Sequence, residues 1–133
     1  MIVYLAGPMF GCTHEEKHEW RDKADALLYK GSGTPTYDPT DRDYAAQEYT
    51  EELSMKIVEE DKIEILQSDF VLANVWKHSP GTSMEILFAF NNGKEVVVVS
   101  DNPSPWITAH SSRVFKTVEE AVEYINAEAN VSQ

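Results

Sequence analysis

Short apolar runs alternate with longer segments of helical periodicity, and this alternation limits the possible folds of the chain more than any other feature. The clearest runs are residues 2–6, 70–75 and 95–99, each nearly unbroken by polar side chains. A strand that is apolar on both faces must be covered on both faces, as in parallel sheets that carry helices on each side. The alternation therefore predicts an α/β fold with parallel strands.

The remaining elements follow from the same periodicities. Helices are predicted at residues 13–29, 50–67, 83–92 and 117–128, with further short strands at 34–37 and 113–115. Thr13 is a suitable N-cap residue, and Gly93 stands where the C-terminal cap of a helix belongs. The predicted architecture is a flavodoxin-like or Rossmann-like three-layer α/β/α fold with a five-stranded parallel sheet, formed by residues 1–133 as a single domain.

Composition excludes several classes of partner. The 133 residues include 11 Lys and Arg against 23 Asp and Glu, which gives a formal net charge of -12. Such a surface repels phosphate polymers and anionic lipids, so neither a nucleic-acid polymer nor a membrane is an expected partner. We expect a soluble protein of the cytoplasm. The chain has a single cysteine, Cys12, shows no secretory signal pattern and has no apolar run near the roughly 18 residues of a membrane span.

The loops after the first and third strands are the candidate binding segments. In an open parallel sheet, ligands bind at the carboxyl ends of the strands, where the strand order reverses, and residues 7–11 and 76–85 occupy those positions. Gly7 allows a ligand to approach the backbone closely, and it suits a tight strand-to-helix turn equally well. The first loop has neither a P-loop nor a GxGxxG pattern, so a nucleoside triphosphate or NAD bound by those devices is not predicted.

Two acids and a tyrosine are candidates for the site. Glu85 follows the glycine loop after the third strand, and a place on the first turn of the next helix directs it into the crevice, although an acid there also opposes the helix dipole. Buried Tyr4 needs a partner for its hydroxyl, which a carboxylate provides. Asp61 is either a solvent-facing acid or a residue at the border of the core. The latter depends on the predicted apolar face of its helix: Leu53, Ile57, Ile63 and Leu66.

These residue types indicate carboxylate chemistry at an electrophilic carbon. The anomeric carbon of a sugar fits, because a nearby negative charge stabilises its oxocarbenium-like transition state. The four histidines, at positions 14, 18, 78 and 110, are too scattered to predict a metal site, and no organic cofactor is expected. The chain also lacks the Gly-x-Ser-x-Gly elbow of a Ser-His-Asp hydrolase.

Several segments, spread in order along nearly the whole chain, share one family pattern. They are Tyr4-Leu5-Ala6-Gly7-Pro8, Asp38-Pro39-Thr40-Asp41-Arg42-Asp43-Tyr44, Asp61 before Ser68-Asp69, Gly81-Thr82-Ser83-Met84-Glu85-Ile86, Gly93-Lys94, and Ser104-Pro105-Trp106-Ile107 with His110-Ser111. Together they resemble the nucleoside 2-deoxyribosyltransferase family and its nucleotide N-glycoside hydrolase branch.

The resemblance implies a mechanism and an assembly. Glu85 would attack C1′ of a nucleoside and expel the base, Tyr4 would orient Glu85, and Asp61 would assist base departure by proton transfer, directly or through water. Water then completes hydrolysis, or a second base completes transfer. The family also implies a homo-oligomer, a dimer or larger, whose sites are completed by a neighbouring subunit, so that His110 or Ser111 reaches a phosphate across an interface.

Ser79, six residues before Glu85, departs from the pattern of transferases that act on free nucleosides, which often carry an aspartate there for the 5′-hydroxyl. A carboxylate would repel a 5′-phosphate, whereas a serine hydroxyl can donate to it, so Ser79 favours a monophosphate. The amides from Gly81 to Ser83 would add donors at a helix N-terminus. The alternative is that Ser79 is an ordinary loop residue before Pro80.

Phe10, Arg42 and Asp43 are candidates for contacts to the base or sugar. The leading hypothesis is hydrolysis of the N-glycosidic bond of a nucleoside 5′-monophosphate, ribo or 2′-deoxy, through a glycosyl-Glu85 intermediate, with release of free base and sugar 5-phosphate. A 2-deoxyribosyltransferase and a non-catalytic nucleotide-binding module are the alternatives. No residue identifies the base or the 2′ group of the sugar.

Overall fold

The computed structural model describes residues 1–42, 44 and 49–131. Within these ranges the strands are β1 (Val3–Ala6), β2 (Thr36–Tyr37), β3 (Phe70–Asn74), β4 (Glu95–Val99) and β5 (Arg113–Phe115). The helices are α1 (His14–Ser32), α2 (Glu51–Gln67), α3 (Pro80–Asn91), α4 (Pro105–Ala109) and α5 (Val118–Val131). A 3-10 turn, Pro39–Asp41, follows β2. None of the helices in the described part of the chain is both long and apolar enough to cross a membrane.

The five strands form one parallel sheet in the order β2-β1-β3-β4-β5. This is the flavodoxin-like order, which reverses direction between β1 and β3. These two strands pair in register from Val3 with Phe70 to Ala6 with Ala73. The chain leaves β1 toward one edge of the sheet and β3 toward the other, so their carboxyl ends border a crevice. The predicted three-layer α/β/α fold with a five-stranded parallel sheet is confirmed.

Alternate side chains of the strands enter two separate cores. Val3 and Leu5 of β1 pack in one core with residues of α1 and α5, whereas Tyr4 and Ala6 pack in the other core with Ile86 of α3 and Ile65 of α2. Burial of both apolar faces stabilises the sheet between its two helical layers. Because Tyr4 is on the α2–α3 side, its hydroxyl lies toward the helices that carry Asp61 and Glu85.

Helix ends agree with the sequence signals at several positions. Thr13 caps α1 in a capping box with Glu16, and Gly33 ends that helix with a positive φ of 69°. Gly93 has a φ of 76° after α3, as expected for a left-handed C-terminal cap. Helix α1 continues to Ser32, three residues beyond the predicted end.

The predicted start of α3 at Ser83 is wrong. The helix begins at Pro80, because Ser79 is its N-cap and accepts a hydrogen bond from the Thr82 amide at 3.3 Å. Proline suits the first helical position, since the amide it lacks would have no intrahelical partner there. Glu85 therefore lies on the second turn of the helix and not on the first.

The predicted apolar face of α2 also needs correction. Ile63 and Leu66 are 48% and 47% exposed, whereas Ile65 is buried. The inward face follows a four-residue spacing along Leu53, Ile57, Asp61 and Ile65, of which Leu53 is also buried and the middle two are half-buried. Asp61 thus belongs to the inward stripe of α2, which is the core-border interpretation. Helix α4 has no counterpart in the sequence prediction, because five residues are too few to show helical periodicity.

Candidate active site

Glu85 of α3 and Tyr4 of β1 meet at the carboxyl end of the sheet. The hydroxyl of Tyr4 donates to Oε2 of Glu85 at 2.5 Å. Tyr4 is completely buried, and a buried tyrosine hydroxyl requires such a partner. Oε1 of Glu85 accepts no hydrogen bond from the residues that the structure describes. A carboxylate held through one oxygen, with the other oxygen free, is suited to nucleophilic attack.

Asp61 approaches the same place from α2 and is held by Arg42, which follows the 3-10 turn. Nη2 of Arg42 donates to Oδ1 of Asp61 at 2.5 Å and lies 3.0 Å from Oε1 of Glu64. Nη1 of Arg42 lies 3.4 Å from Oε2 of Glu60, which also accepts a hydrogen bond from the Tyr44 hydroxyl. One guanidinium group therefore joins the loop after β2 to three acids on α2.

The environment raises the pKa of both central acids. Burial, followed by the charge of Asp61, raises the pKa of Glu85 to about 7, although the Tyr4 hydrogen bond and the charges of Arg21 and Arg42 oppose the shift. Burial also raises the pKa of Asp61, against the hydrogen bond and charge of Arg42. Burial and the charges of Glu85 and Asp61 raise the pKa of Tyr4, so Tyr4 remains a donor. Paired acids with perturbed pKa values are typical of catalytic sites.

Buried Arg21 supports the turn after β1. Its Nη2 donates to the carbonyl of Gly7 at 3.0 Å, its Nε donates to the carbonyl of Leu5 at 3.4 Å, and Nε lies 3.8 Å from Oδ1 of Asp38. The arginine is completely buried in α1, so these contacts replace the water that its charge would otherwise bind. Arg21 thereby anchors the loop that forms one wall of the site.

A cleft of about 560 Å³ opens above Glu85. Small-molecule sites commonly measure roughly 300–1,000 Å³, so a nucleoside or mononucleotide falls within the range. Phe10 and Tyr49 line the cleft and are exposed, with their rings in an edge-to-face arrangement and centroids 5.6 Å apart. These aromatic side chains offer a surface on which a base can stack. The family sequence model for nucleoside 2-deoxyribosyltransferase matches residues 3–127.

The chain belongs to the nucleoside 2-deoxyribosyltransferase family.

Several solved structures share the fold. A 2-deoxyribosyltransferase from Bacillus psychrosaccharolyticus superposes with a TM-score of 0.77 and 21% identity, covering 97% of this chain and 96% of that one. The CMP N-glycosidase BcmB of Clostridium botulinum superposes with a TM-score of 0.60 and 18% identity, covering 96% of this chain and 99% of that one. A conserved protein from Enterococcus faecalis V583 superposes with a TM-score of 0.74 and 18% identity, covering 96% of this chain and 98% of that one. No curated protein sequence matches the chain.

Family membership confirms the resemblance stated from the sequence. The protein is an enzyme of the nucleoside 2-deoxyribosyltransferase family. At these identities the structural matches establish the shared fold, and the choice between transfer and hydrolysis depends on the site.

Most of the site residues predicted from the sequence lie at the cleft. Those that line it are Gly7, Phe10, Asp61, Ser79, Gly81 and Glu85, and Tyr4 lies beneath Glu85. Ser83 and His110 line a neighbouring groove between α3 and α4. Ser111 donates to the carbonyl of Ile107 at 2.5 Å and is likewise not part of the Glu85 cleft. Asp43 lies outside the described residues.

The two predicted glycines differ in their surroundings. A Cβ atom on Gly7 would lie 2.7 Å from Cζ2 of Trp20, so the packing of α1 against the turn requires glycine. A Cβ atom on Gly81 would meet none of the described atoms within 4 Å. Packing therefore accounts for Gly7, whereas packing against the described residues does not require glycine at position 81, which lines the cleft.

Sequence reasoning missed Arg21 and Tyr49, and it included Arg42 only as a general contact in a polar loop. Arg21 stands three and seven residues before the buried Ala24 and Leu28, so its place in an apolar stripe was a usable signal of a buried charge. Tyr49 and Arg42 lie in a connection without periodicity. Only the tertiary arrangement brings them to the cleft.

Proposed function

We propose that this enzyme hydrolyses the N-glycosidic bond of a nucleoside 5′-monophosphate and releases a free base and a sugar 5-phosphate. The observation that carries this proposal is the hydrogen bond from buried Tyr4 to Glu85, in a cleft that also contains Asp61 and Ser79. It supports a single oriented nucleophile rather than a general binding surface. A non-catalytic binding module is at odds with membership of this enzyme family.

The first chemical step forms a glycosyl ester. Oε1 of Glu85 attacks C1′ of the sugar, the bond from C1′ to the base nitrogen breaks, and its electron pair stays on the base. Asp61 delivers a proton to the departing base, directly or through water, because the nitrogen anion is otherwise a poor leaving group. The raised pKa of Asp61 supports this role.

The second step restores the enzyme. Water attacks C1′ and gives a proton to the Asp61 carboxylate, while the ester bond from C1′ to Glu85 breaks and its electron pair returns to the carboxylate. Tyr4 donates to Oε2 throughout and keeps the nucleophile aligned. In a transferase, a second base would take the place of this water.

The surroundings of Ser79 support a 5′-phosphate. Its Oγ accepts from the amide and the hydroxyl of Thr82, at 3.3 and 3.0 Å. With its acceptor capacity occupied, the Ser79 hydroxyl is left to donate, and phosphate oxygens accept. Lys77 and His78 line the same cleft, which places basic side chains beside it in a protein of formal net charge -12.

We also propose that the protein is a homo-oligomer of the cytoplasm that takes a small nucleotide and no nucleic-acid polymer. Met84 and Trp106, which are 70% and 74% exposed, line the groove between α3 and α4 together with His110. Exposed apolar side chains gathered in this way are suited to association with a second copy. Multi-angle light scattering of the parent and the Trp106→Glu variant tests this, with a lower mass expected for the variant.

The second candidate function is 2-deoxyribosyl transfer, which the family match favours. Both candidates require Glu85, so its loss does not separate them. A transferase would need no phosphate and would let an added free base compete with water.

A chromatographic screen separates these functions. Ribo- and deoxyribonucleoside 5′-monophosphates and their nucleosides are incubated with the protein, with and without an added free base. Glu85→Ala is the inactive variant, and Glu123→Gln, which replaces an exposed side chain of α5, is the control. We expect base release from a monophosphate alone, abolished in Glu85→Ala. Exchange of bases on unphosphorylated nucleosides would instead establish the transferase.

A further inference from the structure

We propose that Arg42 is a positioning residue, whose guanidinium group holds the Asp61 carboxylate beside Glu85 and supplies the positive charge that allows two acids to work in one cleft. This inference rests on the proposed function, in which Asp61 transfers a proton to the leaving base. It assigns to the loop after β2 a part in catalysis beyond forming a wall of the cleft.

The contact between Arg42 and Asp61 has the geometry of a strong charged hydrogen bond. Nη2 and Oδ1 are 2.5 Å apart, and the two side chains are only 18% and 20% exposed. Charged hydrogen bonds of this kind are stronger than neutral ones, and partial burial reduces screening by salt. The ion pair therefore restrains the Asp61 carboxyl group, which a solvent-exposed pair would do poorly.

The charge around Asp61 requires such a cation. Glu60 and Glu64 lie on the same part of α2 as Asp61, and Glu85 faces it across the cleft. Within the described residues, the ion pairs of the three α2 acids are all made with Arg42. Like charges at this spacing repel one another, and after burial they add to the raised pKa of Asp61 and of Glu64, whereas Arg42 lowers both. Without Arg42, the acids would gain protons or move apart.

A cation in this place acts on both catalytic acids. Arg42 lowers the pKa of Asp61 and that of Glu85, and thereby limits the rise that burial causes in each. Its removal shifts both titrations to higher pH, so the activity profile moves upward whether Asp61 works as acid or as base. The ionisable groups that face Asp61 come from β1, α3, the loop after β2 and α2 itself: Tyr4, Glu85, Arg42, Tyr44, Glu60 and Glu64.

The first test is kinetic, with the substrate identified by the screen. We expect Arg42→Gln to lower kcat by about 100-fold, as misplaced catalytic groups do, and to move the pH profile of kcat upward. Arg42→Lys keeps the positive charge but loses the planar guanidinium group, so kcat falls by about tenfold while the pH profile of kcat does not move. Lys23 of α1 forms an ion pair with Glu119 and does not line the cleft, so Lys23→Gln removes a cation but leaves both quantities unchanged.

The second test does not need turnover. Carboxyl 13C NMR follows the titration of Asp61 and Glu85 in the parent and in Arg42→Gln, with the signals assigned from Asp61→Asn and Glu85→Gln. Titrations that move to higher pH in Arg42→Gln support the proposal, even if no substrate reacts and the proposed function fails. Titrations of Asp61 and Glu85 that do not move in Arg42→Gln overturn the proposal. A lower melting temperature of Arg42→Gln together with an unchanged pH profile of kcat also overturns it. If Arg42→Gln does not fold, full kcat in Arg42→Lys overturns the positioning role.

Discussion

The hydroxyl of Tyr4 donates a 2.5 Å hydrogen bond to Glu85, and this contact joins β1 to α3 across 81 positions of the chain. It combines a residue from the centre of the sheet with one from the second turn of a helix. Because the strand is buried on both faces, the position of the hydroxyl is set by the sheet and not by the flexibility of a loop. The proposed nucleophile is thus held by a side chain of the buried sheet.

Tyr4→Phe removes this bond without removing the ring from the core. Hydrogen bonds to charged groups contribute about 1.5–3 kcal/mol, so we expect kcat to fall by about 10- to 100-fold. The bond lowers the pKa of Glu85, and its loss shifts the acidic limb of the pH profile upward. Tyr37→Phe is the control, since that hydroxyl donates to Gln67 at 2.8 Å. Equal profiles for the parent and Tyr4→Phe would contradict the orienting role.

Glu85→Gln is expected to increase stability at alkaline pH. Burial raises the pKa of Glu85 in the folded protein to about 7, above its ordinary value of 4.5, so the folded state favours the protonated form. The stability associated with that protonated form is present below pH 4.5 and is lost as the pH rises through 7. Glutamine avoids this loss, which amounts to at most about 3 kcal/mol.

Urea unfolding at pH 5 and pH 8 measures this difference. The stability of Glu85→Gln relative to the parent should be greater at pH 8 than at pH 5. Glu123→Gln, an exposed replacement on α5, should show no such dependence. A constant difference between Glu85→Gln and the parent at both pH values would show that Glu85 is not perturbed by its surroundings.

Two glycine replacements should have opposite consequences. Gly7→Ala places a methyl group 2.7 Å from the Trp20 ring and is expected to lower the free energy of unfolding by about 1–3 kcal/mol. Gly81→Ala has room for its methyl group and should leave stability equal or higher by about 0.5 kcal/mol, while it raises KM. Chemical denaturation and steady-state kinetics of both variants check this. Unchanged KM in Gly81→Ala would remove Gly81 from the ligand site.

Ser79→Asp tests the recognition of a phosphate. Aspartate is also a good N-cap, so α3 should form normally, but its charge would repel a 5′-phosphate. We expect the ratio of kcat/KM for the monophosphate to that for the nucleoside to fall by about 100-fold. Thr117→Asp adds the same charge at the start of α5, where the Thr117 hydroxyl accepts a hydrogen bond from the Glu120 amide, and should leave the ratio unchanged. An unchanged ratio in Ser79→Asp would leave Ser79 as a helix cap alone.

Much of the fold follows from local rules that act along the chain. The β-branched run of β4 matches its predicted bounds, Glu95–Val99, and Thr13 caps α1 as expected. Cap chemistry also explains the error at α3, because Ser79 and Pro80 form a stronger helix start than the glycine after them. On α2, Ile65 is buried in the core and its neighbour Leu66 is exposed. Because both residues are apolar, the sequence alone does not show which of them faces inward.

The sequence by itself determined the parallel α/β class and the family, and it made Glu85 a candidate for the site, because apolar periodicity, caps and motifs are properties of neighbouring residues. Only the tertiary structure decided that Tyr4 donates to Glu85 and that Arg42 holds Asp61. These contacts depend on strand order, on the phase of α2 and on the path of the loop after β2. Their energies arise from burial and from charges brought together across the chain, which no local pattern encodes.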